Sequence, residues 1–172
     1  MLYSKLDVGK IPFELCPVDL NGYIASCAEE YAPDFEKEGK RLIYENKTEN
    51  AVVLIDPMRF KRVIQNIVGN AMKHTESGTG EIKFILRENA GSVICEISDN
   101  GAGIPEKDLP HIFERFYKGE IQRSGNGSSG LGLTIAKQLT EGMDGRIWAV
   151  SREGRGASFM ISFKKYSGGN KT

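Results

Sequence analysis

The chain has no excess charge of either sign. Its 172 residues carry 23 Lys plus Arg against 23 Asp plus Glu, so it lacks the basic surplus of nucleic-acid-binding domains and of membrane-surface proteins. No nucleic-acid partner is expected. Histidine and cysteine are scarce, at two and three. Cys16, Cys27 and Cys95 are odd in number and far apart. That spacing fits neither a disulfide framework nor a metal site, so three small apolar side chains in a reducing compartment are expected. His74 and His111 have no Ser or Cys nucleophile motif around them, which argues against a hydrolase constellation, and without a cysteine cluster zinc is not expected. No apolar run approaches the roughly 20 residues that span a bilayer. No signal-peptide pattern opens the chain. The expectation is a soluble, cytoplasmic chain, which leaves open that it was cut from a membrane protein.

The composition that remains, 40% hydrophobic and 27% charged, is enough for one domain with a real core. Residues 1–10 read as the last turns of a preceding helix, 11–165 as the domain, and 166–172 as a disordered tail. Residues 13–18 alternate and read as an edge strand that tolerates Pro17. Asp19 caps a helix carrying Leu20, Ile24, Ala25, Cys27 and Ala28, which Pro33 should end or kink. Residues 42–46 and 52–55 read as strands. Asp56-Pro57 opens the clearest helix, in which Phe60, Val63, Ile64, Ile67, Val68, Ala71 and Met72 form the buried face. Residues 81–87 and 92–98 are strands joined by a hairpin turn. Residues 105–114 suggest a short helix, 118–129 a mobile Gly- and Ser-rich loop, and 131–143 another apolar helix. Two closing strands follow at 146–150 and 158–164. Five to seven strands and three main helices without strict alternation indicate an α/β class of α+β sandwich type. The sheet is then mixed and covered by helices on one face, not doubly wound.

Three polar and glycine-rich clusters stand out in order. The first is Gln65-Asn66-Ile67-Val68-Gly69-Asn70-Ala71-Met72-Lys73-His74-Thr75. At 100° per residue Asn66, Asn70 and Lys73 fall within about 60° of one another, with His74 just to one side. The stripe borders the apolar face, so it faces a cleft. A neutral amide oxygen suits Mg²⁺, which takes its other ligands from water and phosphate, and Lys73 is a point charge for phosphate. The second cluster is Asp99-Asn100-Gly101-Ala102-Gly103-Ile104-Pro105. Asp99 ends a strand, where its carboxylate can accept from an adenine amino group, and Gly101 and Gly103 permit close backbone approach. The third is Ser128-Ser129-Gly130-Leu131-Gly132-Leu133-Thr134. It opens a helix whose free N–H groups suit phosphate, yet it is neither a Walker sequence nor a dinucleotide fingerprint. Between the last two lies Phe113-Glu114-Arg115-Phe116-Tyr117-Lys118. Phe113 and Phe116 read as anchors to the core, and Arg115 and Lys118 are within reach of phosphates. Each cluster also has a plainer reading: a solvated helix face, an Asp-Asn-Gly turn, a glycine-flanked helix start, or an aromatic anchor with solvated charges.

Taken together, the clusters resemble the catalytic ATP-binding domain of two-component sensor histidine kinases. The resemblance runs from about residue 10 to 164. Residues 66–74 are similar to that family's N box, 99–104 to its first glycine box, 113–117 to its F box and 130–133 to its second glycine box. Gly145-Arg146-Ile147-Trp148 and Gly156-Ala157-Ser158-Phe159 are similar as well. The resemblance implies the Bergerat fold, with ATP and Mg²⁺ as cofactors. It implies Asn70 as metal ligand, Asn66 and Lys73 at the phosphates, Asp99 at adenine, and 118–129 as the ATP lid. The implied nucleotide contacts extend to His74, Gly101, Gly103, Ile104, Tyr117, Lys118, Ser129, Gly130, Leu131, Gly132, Leu133 and Ser158. Catalytic work falls to Asn66, Lys73, Arg115 and Lys118. Many members carry Arg where Lys118 stands, and Lys cannot make the bidentate contact of an Arg.

The implied activity is that of a protein-histidine kinase: Mg-ATP is bound here, and its γ-phosphoryl group passes to a histidine on a dimerisation domain. The family's acceptor stretch, of the form His-Glu-Leu-Arg-Thr-Pro, is absent, although Tyr3-Ser4-Lys5-Leu6-Asp7 resembles the end of that domain's second helix. The chain alone is not expected to phosphorylate itself. Implied partners are its own dimerisation domain and a response regulator. The full-length protein would be a homodimer, often membrane-attached in this family, and the fragment a monomer. The alternatives are a related serine kinase, a gyrase- or chaperone-type ATPase, or a non-enzymatic nucleotide-binding module. The F box, and Asn66 where those ATPases typically carry Glu, argue against the first two.

Overall fold

Local sequence signals place most of the element boundaries. The computed structural model describes residues 12–117, 131–151 and 153–167. The expectations for residues 1–10, for the loop 118–129 with Lys118 and Ser129, for Gly130, and for the tail from 168 lie outside the described residues. The elements run β1 (Cys16–Asp19), α1 (Leu20–Lys37), β2 (Arg41–Asn46), β3 (Val52–Ile55), α2 (Pro57–His74), β4 (Glu81–Asn89), β5 (Ser92–Asp99), α3 (Gly132–Gly142), β6 (Arg146–Ser151) and β7 (Ala157–Lys164). A single 3₁₀ turn, Leu109–His111, precedes α3. β1 and β3 pair antiparallel as a two-stranded sheet. The other five form a mixed sheet in the order β2-β4-β5-β7-β6, in which only β2 and β4 are parallel.

Strand alternation separates the faces of the larger sheet. Ile82, Phe84 and Leu86 of β4, Val93, Cys95 and Ile97 of β5, and Phe159, Ile161 and Phe163 of β7 point one way. They share a core with Leu20 and Ile24 of α1, Phe60, Val63, Ile64 and Ile67 of α2, and Ala136 and Leu139 of α3. Phe60 meets Phe163 edge-on at 5.4 Å between centroids, a geometry that adds to area burial. All three helices contribute to this one core, as the sandwich reading expects. On the other face, Ile94 and Met160 are buried but stand outside that core, and Met160 is in register with half-buried Trp148.

Asp56 fixes the start of α2. Its Oδ1 accepts from the Met58 and Arg59 amides, both at 3.1 Å, and Pro57 occupies the first turn, where its missing N–H costs nothing. Its Oδ2 accepts from Glu14 N at 2.9 Å, which ties the entry to β1 against the helix. At the other end, Lys40 is 4% exposed and its Nζ donates to Met72 O at 2.8 Å. It also pairs with Glu38 at 2.9 Å. A carbonyl that the helix end leaves unpaired is thereby satisfied, by a cation at the negative pole of the helix dipole.

Two expectations are corrected. α1 does not end at Pro33 but continues to Lys37. The turn beyond the proline carries Phe35, which is 1% exposed, and burial of that ring offsets the lost helical hydrogen bond. Residues 105–114 form no α-helix. Pro110 sits inside the segment without an N–H to give, and only the Leu109–His111 3₁₀ turn forms.

Removing the Asp56 carboxylate leaves three amides short of an acceptor. Asp56→Ala should lower stability by about 2 kcal/mol, read as a lower denaturant midpoint at unchanged m-value. A loss below about 0.5 kcal/mol, within the range of an ordinary surface substitution, would contradict this role.

Candidate nucleotide site

The site forms where three element ends meet: the last turns of α2, the end of β5, and the start of α3. Asn66 is half-buried on α2, and its Nδ2 has no hydrogen-bond partner among the described residues. The first residue of α3 packs against it. A Cβ placed on Gly132 would lie 3.7 Å from Asn66 Oδ1. No side chain among the described residues caps α3, so its opening amides lie beside a buried amide donor that lacks an acceptor. Such an arrangement suits an anion, because a helix N-terminus and a buried amide donor lie side by side. Asn70 is half-buried one turn further along α2, and Lys73 is exposed beyond it. Leu131 and Leu133 are half-buried, and Leu133 packs on the core.

Asp99 closes β5. Its Oδ1 accepts from Gly101 N at 2.8 Å and Ala157 N at 3.4 Å, and among the described residues no donor is shown to Oδ2. Burial pushes its carboxyl above the usual range, although the two amides and His74 pull it back. His74 is shifted the other way. Desolvation holds its imidazole below its usual value against the pull of Asp99, so it is neutral at neutral pH.

The loop after Asp99 is held by close backbone approach. Ala102 N donates to His74 O at 3.3 Å. A Cβ on Gly101 would come within 2.1 Å of that same carbonyl oxygen, so no other residue fits. Gly103 takes a φ of 79°. Asn100 anchors the loop's start: its Oδ1 accepts from Glu81 N at 2.8 Å and its Nδ2 donates to Thr79 O at 3.0 Å. The turn between β6 and β7 presses on the other side. Gly154 N donates to Ala102 O at 2.5 Å. Gly156 has a φ of 94°, and a Cβ there would lie 2.0 Å from Asp99 O. Ile104 N donates to Ser151 Oγ at 2.7 Å.

Phe113 anchors the segment before residue 118, as expected. Its ring meets Phe159 edge-on at 6.3 Å, and its carbonyl accepts from Thr134 Oγ1 of α3 at 2.9 Å. Phe116 stays outside the core cluster. The chain turns left-handed there, with a φ of 64°, and leaves the ring 55% exposed. Tyr117 OH donates to the carboxylate of Asp108, which is buried. Arg115 is exposed. Ser158 is one step out of phase with Asp99: its hydroxyl bonds Ser98 at 3.1 Å, on the opposite sheet face from the β5 core residues. The structure thus brings His74, Asp99, Gly101, Gly103 and Ile104 together at the end of β5 and Gly132 against Asn66, while Ser158 lines a hollow with Asp99 and Ser151 and turns its hydroxyl to Ser98. Asn100 and Ser151 hold the loop and were not expected. A polar residue beside a turn carries no mark in a single sequence of which backbone group it will meet.

Comparisons with known proteins place the chain in a family. The family described as "Histidine kinase-, DNA gyrase B-, and HSP90-like ATPase" matches residues 55–167. Sensor histidine kinase YvrG of Bacillus subtilis is 32% identical over 164 residues, which are 95% of this chain and 28% of YvrG. The chain therefore spans less than a third of that relative's length. Full-length ShkA in complex with AMPPNP superposes with a TM-score of 0.81 at 27% identity, over 96% of this chain and 34% of ShkA. Histidine kinase ThkA in complex with response regulator protein TrrA gives a TM-score of 0.77 at 26% identity, over 96% of this chain and 46% of that one. With the family's profile spanning both α2 and the Asp99 loop, the chain belongs to the histidine kinase-, DNA gyrase B- and HSP90-like ATPases, in the form found as the catalytic domain of sensor histidine kinases.

Proposed function

We propose that this chain binds Mg-ATP and, within a longer protein, presents the γ-phosphoryl group to a histidine on a separate dimerisation domain. The observation that carries the reading is the buried Asn66 amide, which has no acceptor among the described residues and lies against the start of α3. Adenine then lies against Asp99, whose Oδ2 accepts from the exocyclic amino group. The triphosphate runs toward Asn66 Nδ2 and the first amides of α3, with Lys73 supplying positive charge. Asn70 would hold Mg²⁺ through its amide oxygen. The donor fits that ion, since an amide oxygen is a neutral hard ligand and Mg²⁺ draws its other ligands from phosphate and water. Held there, Mg²⁺ would supply neutralisation of phosphate charge; in the transfer itself the bond from the γ-phosphorus to the bridging oxygen breaks.

The acceptor imidazole nitrogen forms the new bond to phosphorus, its proton leaves to solvent, and ADP departs. This chain's part is positioning and charge stabilisation. Arg115 and Lys118 are the cations we assign to the lid side of the phosphates. A response regulator is the expected downstream partner, in keeping with the partner in the ThkA complex. The intact protein is expected to be a homodimer with its own dimerisation domain, and this chain a monomer.

Incubated with labelled ATP, the chain should incorporate no label alone and should label an added cognate dimerisation domain. Strong self-labelling would overturn the division of labour. Asn70→Ala should remove the Mg²⁺ dependence of ATP binding, a weakening of roughly tenfold to a hundredfold for a lost contact to a charged group. Unchanged Mg²⁺ dependence in titration calorimetry would refute the metal assignment.

The Asp99 role also fixes a pH dependence. Only the ionised carboxylate accepts from the adenine amino group, and burial raises its pKa. ATP affinity should therefore begin to fall on acidification at a pH above the ordinary carboxylate value of about 4. The decline should be missing from the Asp99→Ala profile. Superimposable profiles for the two proteins would contradict the assignment.

A further inference from the structure

We propose that Ser151 is a positioning residue that sets adenine specificity through Asp99. The inference rests on the reading of Asp99 as the adenine acceptor. Ser151 ends β6. Its hydroxyl makes two bonds of opposite sense. It accepts from Ile104 N at 2.7 Å and donates to Gly156 O at 2.8 Å.

Those two partners lead to the two donors that orient Asp99. Ile104 closes the loop whose Gly101 N donates to Asp99 Oδ1, and Gly156 immediately precedes Ala157, whose N–H donates to the same oxygen. One hydroxyl therefore joins both arms of the grip on the carboxylate. Other restraints hold the loop's start and middle: Asn100 ties it to β4, and Ala102 lies between His74 O and Gly154 N. Ser151 is the side chain that fixes its far end. An alanine there leaves a donor and an acceptor unpaired at once. A threonine keeps both bonds. A cysteine keeps the shape with a weak donor and a weak acceptor.

Loosening the grip frees Oδ1 and lets the carboxylate rotate, so Oδ2 no longer stands in one place for the amino group. The phosphate end of the site, built on α2 and α3, is untouched. The loss should therefore fall on base discrimination. The measurement is the ratio of dissociation constants for ATP and ITP, which presents a carbonyl oxygen where ATP presents the amino group, by competition at neutral pH for the 172-residue chain and its variants. Ser151→Ala should weaken ATP binding about tenfold, the worth of one to two net hydrogen bonds, and leave ITP binding nearly unchanged, so that discrimination falls about tenfold. Ser151→Thr should restore it. A merely structural role would weaken both nucleotides alike or neither, and either result overturns the proposal. If Ser151→Ala does not fold, Ser151→Cys decides by the same ratio: reduced discrimination supports the proposal and wild-type discrimination overturns it. Asp99→Ala separates the two claims. Discrimination that persists in Asp99→Ala refutes the adenine reading and the proposal with it. Discrimination lost in Asp99→Ala but kept in Ser151→Ala refutes the role of Ser151 alone.

Discussion

Backbone must touch backbone at the end of the sheet for this site to exist. The loop after Asp99 lies so close to the end of α2 that a methyl group on Gly101 would overlap the His74 carbonyl, and the β6–β7 turn lies so close that one on Gly156 would overlap the Asp99 carbonyl. These approaches bring donors from two distant segments onto one carboxylate oxygen. They also bury Asp99 enough to raise its pKa. A carboxylate in that setting is costly to leave unpaired, so the geometry that orients it also favours a ligand that donates to it.

The rest of the domain keeps those element ends in place. α2 is fixed at both termini, by Asp56 at its start and by buried Lys40 at Met72 O, so its polar stripe cannot drift along the helix axis. Its apolar stripe packs on the inner face of the sheet beside α3, which brings Gly132 to Asn66. Phe113 is pinned between Phe159 and Thr134, and so holds the end of the segment leading to residue 118. The core therefore serves mainly to hold the Asp99 carboxylate at the end of β5 and the Asn66 amide against the start of α3.

Much of this was legible in the sequence, for identifiable reasons. α2 was readable because Asp-Pro marks its start and its apolar residues keep the helical period over 18 residues. Asp99 was readable because strand alternation carries it to the end of β5. Other features depend on tertiary contact and leave little local trace. The parallel pairing of β2 with β4 and the extension of α1 past Pro33 are of this kind. So is the outward turn of Phe116, which a left-handed residue dictates. Ser151 was invisible because its partner Ile104 is 47 residues away in sequence.

The central claim is that adenine and triphosphate occupy opposite sides of this one cleft. Its most direct test is to map amide chemical-shift changes on adding a non-hydrolysable ATP analogue with Mg²⁺. The account predicts that the largest changes fall on residues 99–104, on the Asn66 side-chain amide, and on the first turn of α3, with little change at Trp148 and Met160 on the far face of the sheet. Saturable binding that moved the far face and left the Asn66 amide and residues 99–104 in place would contradict it.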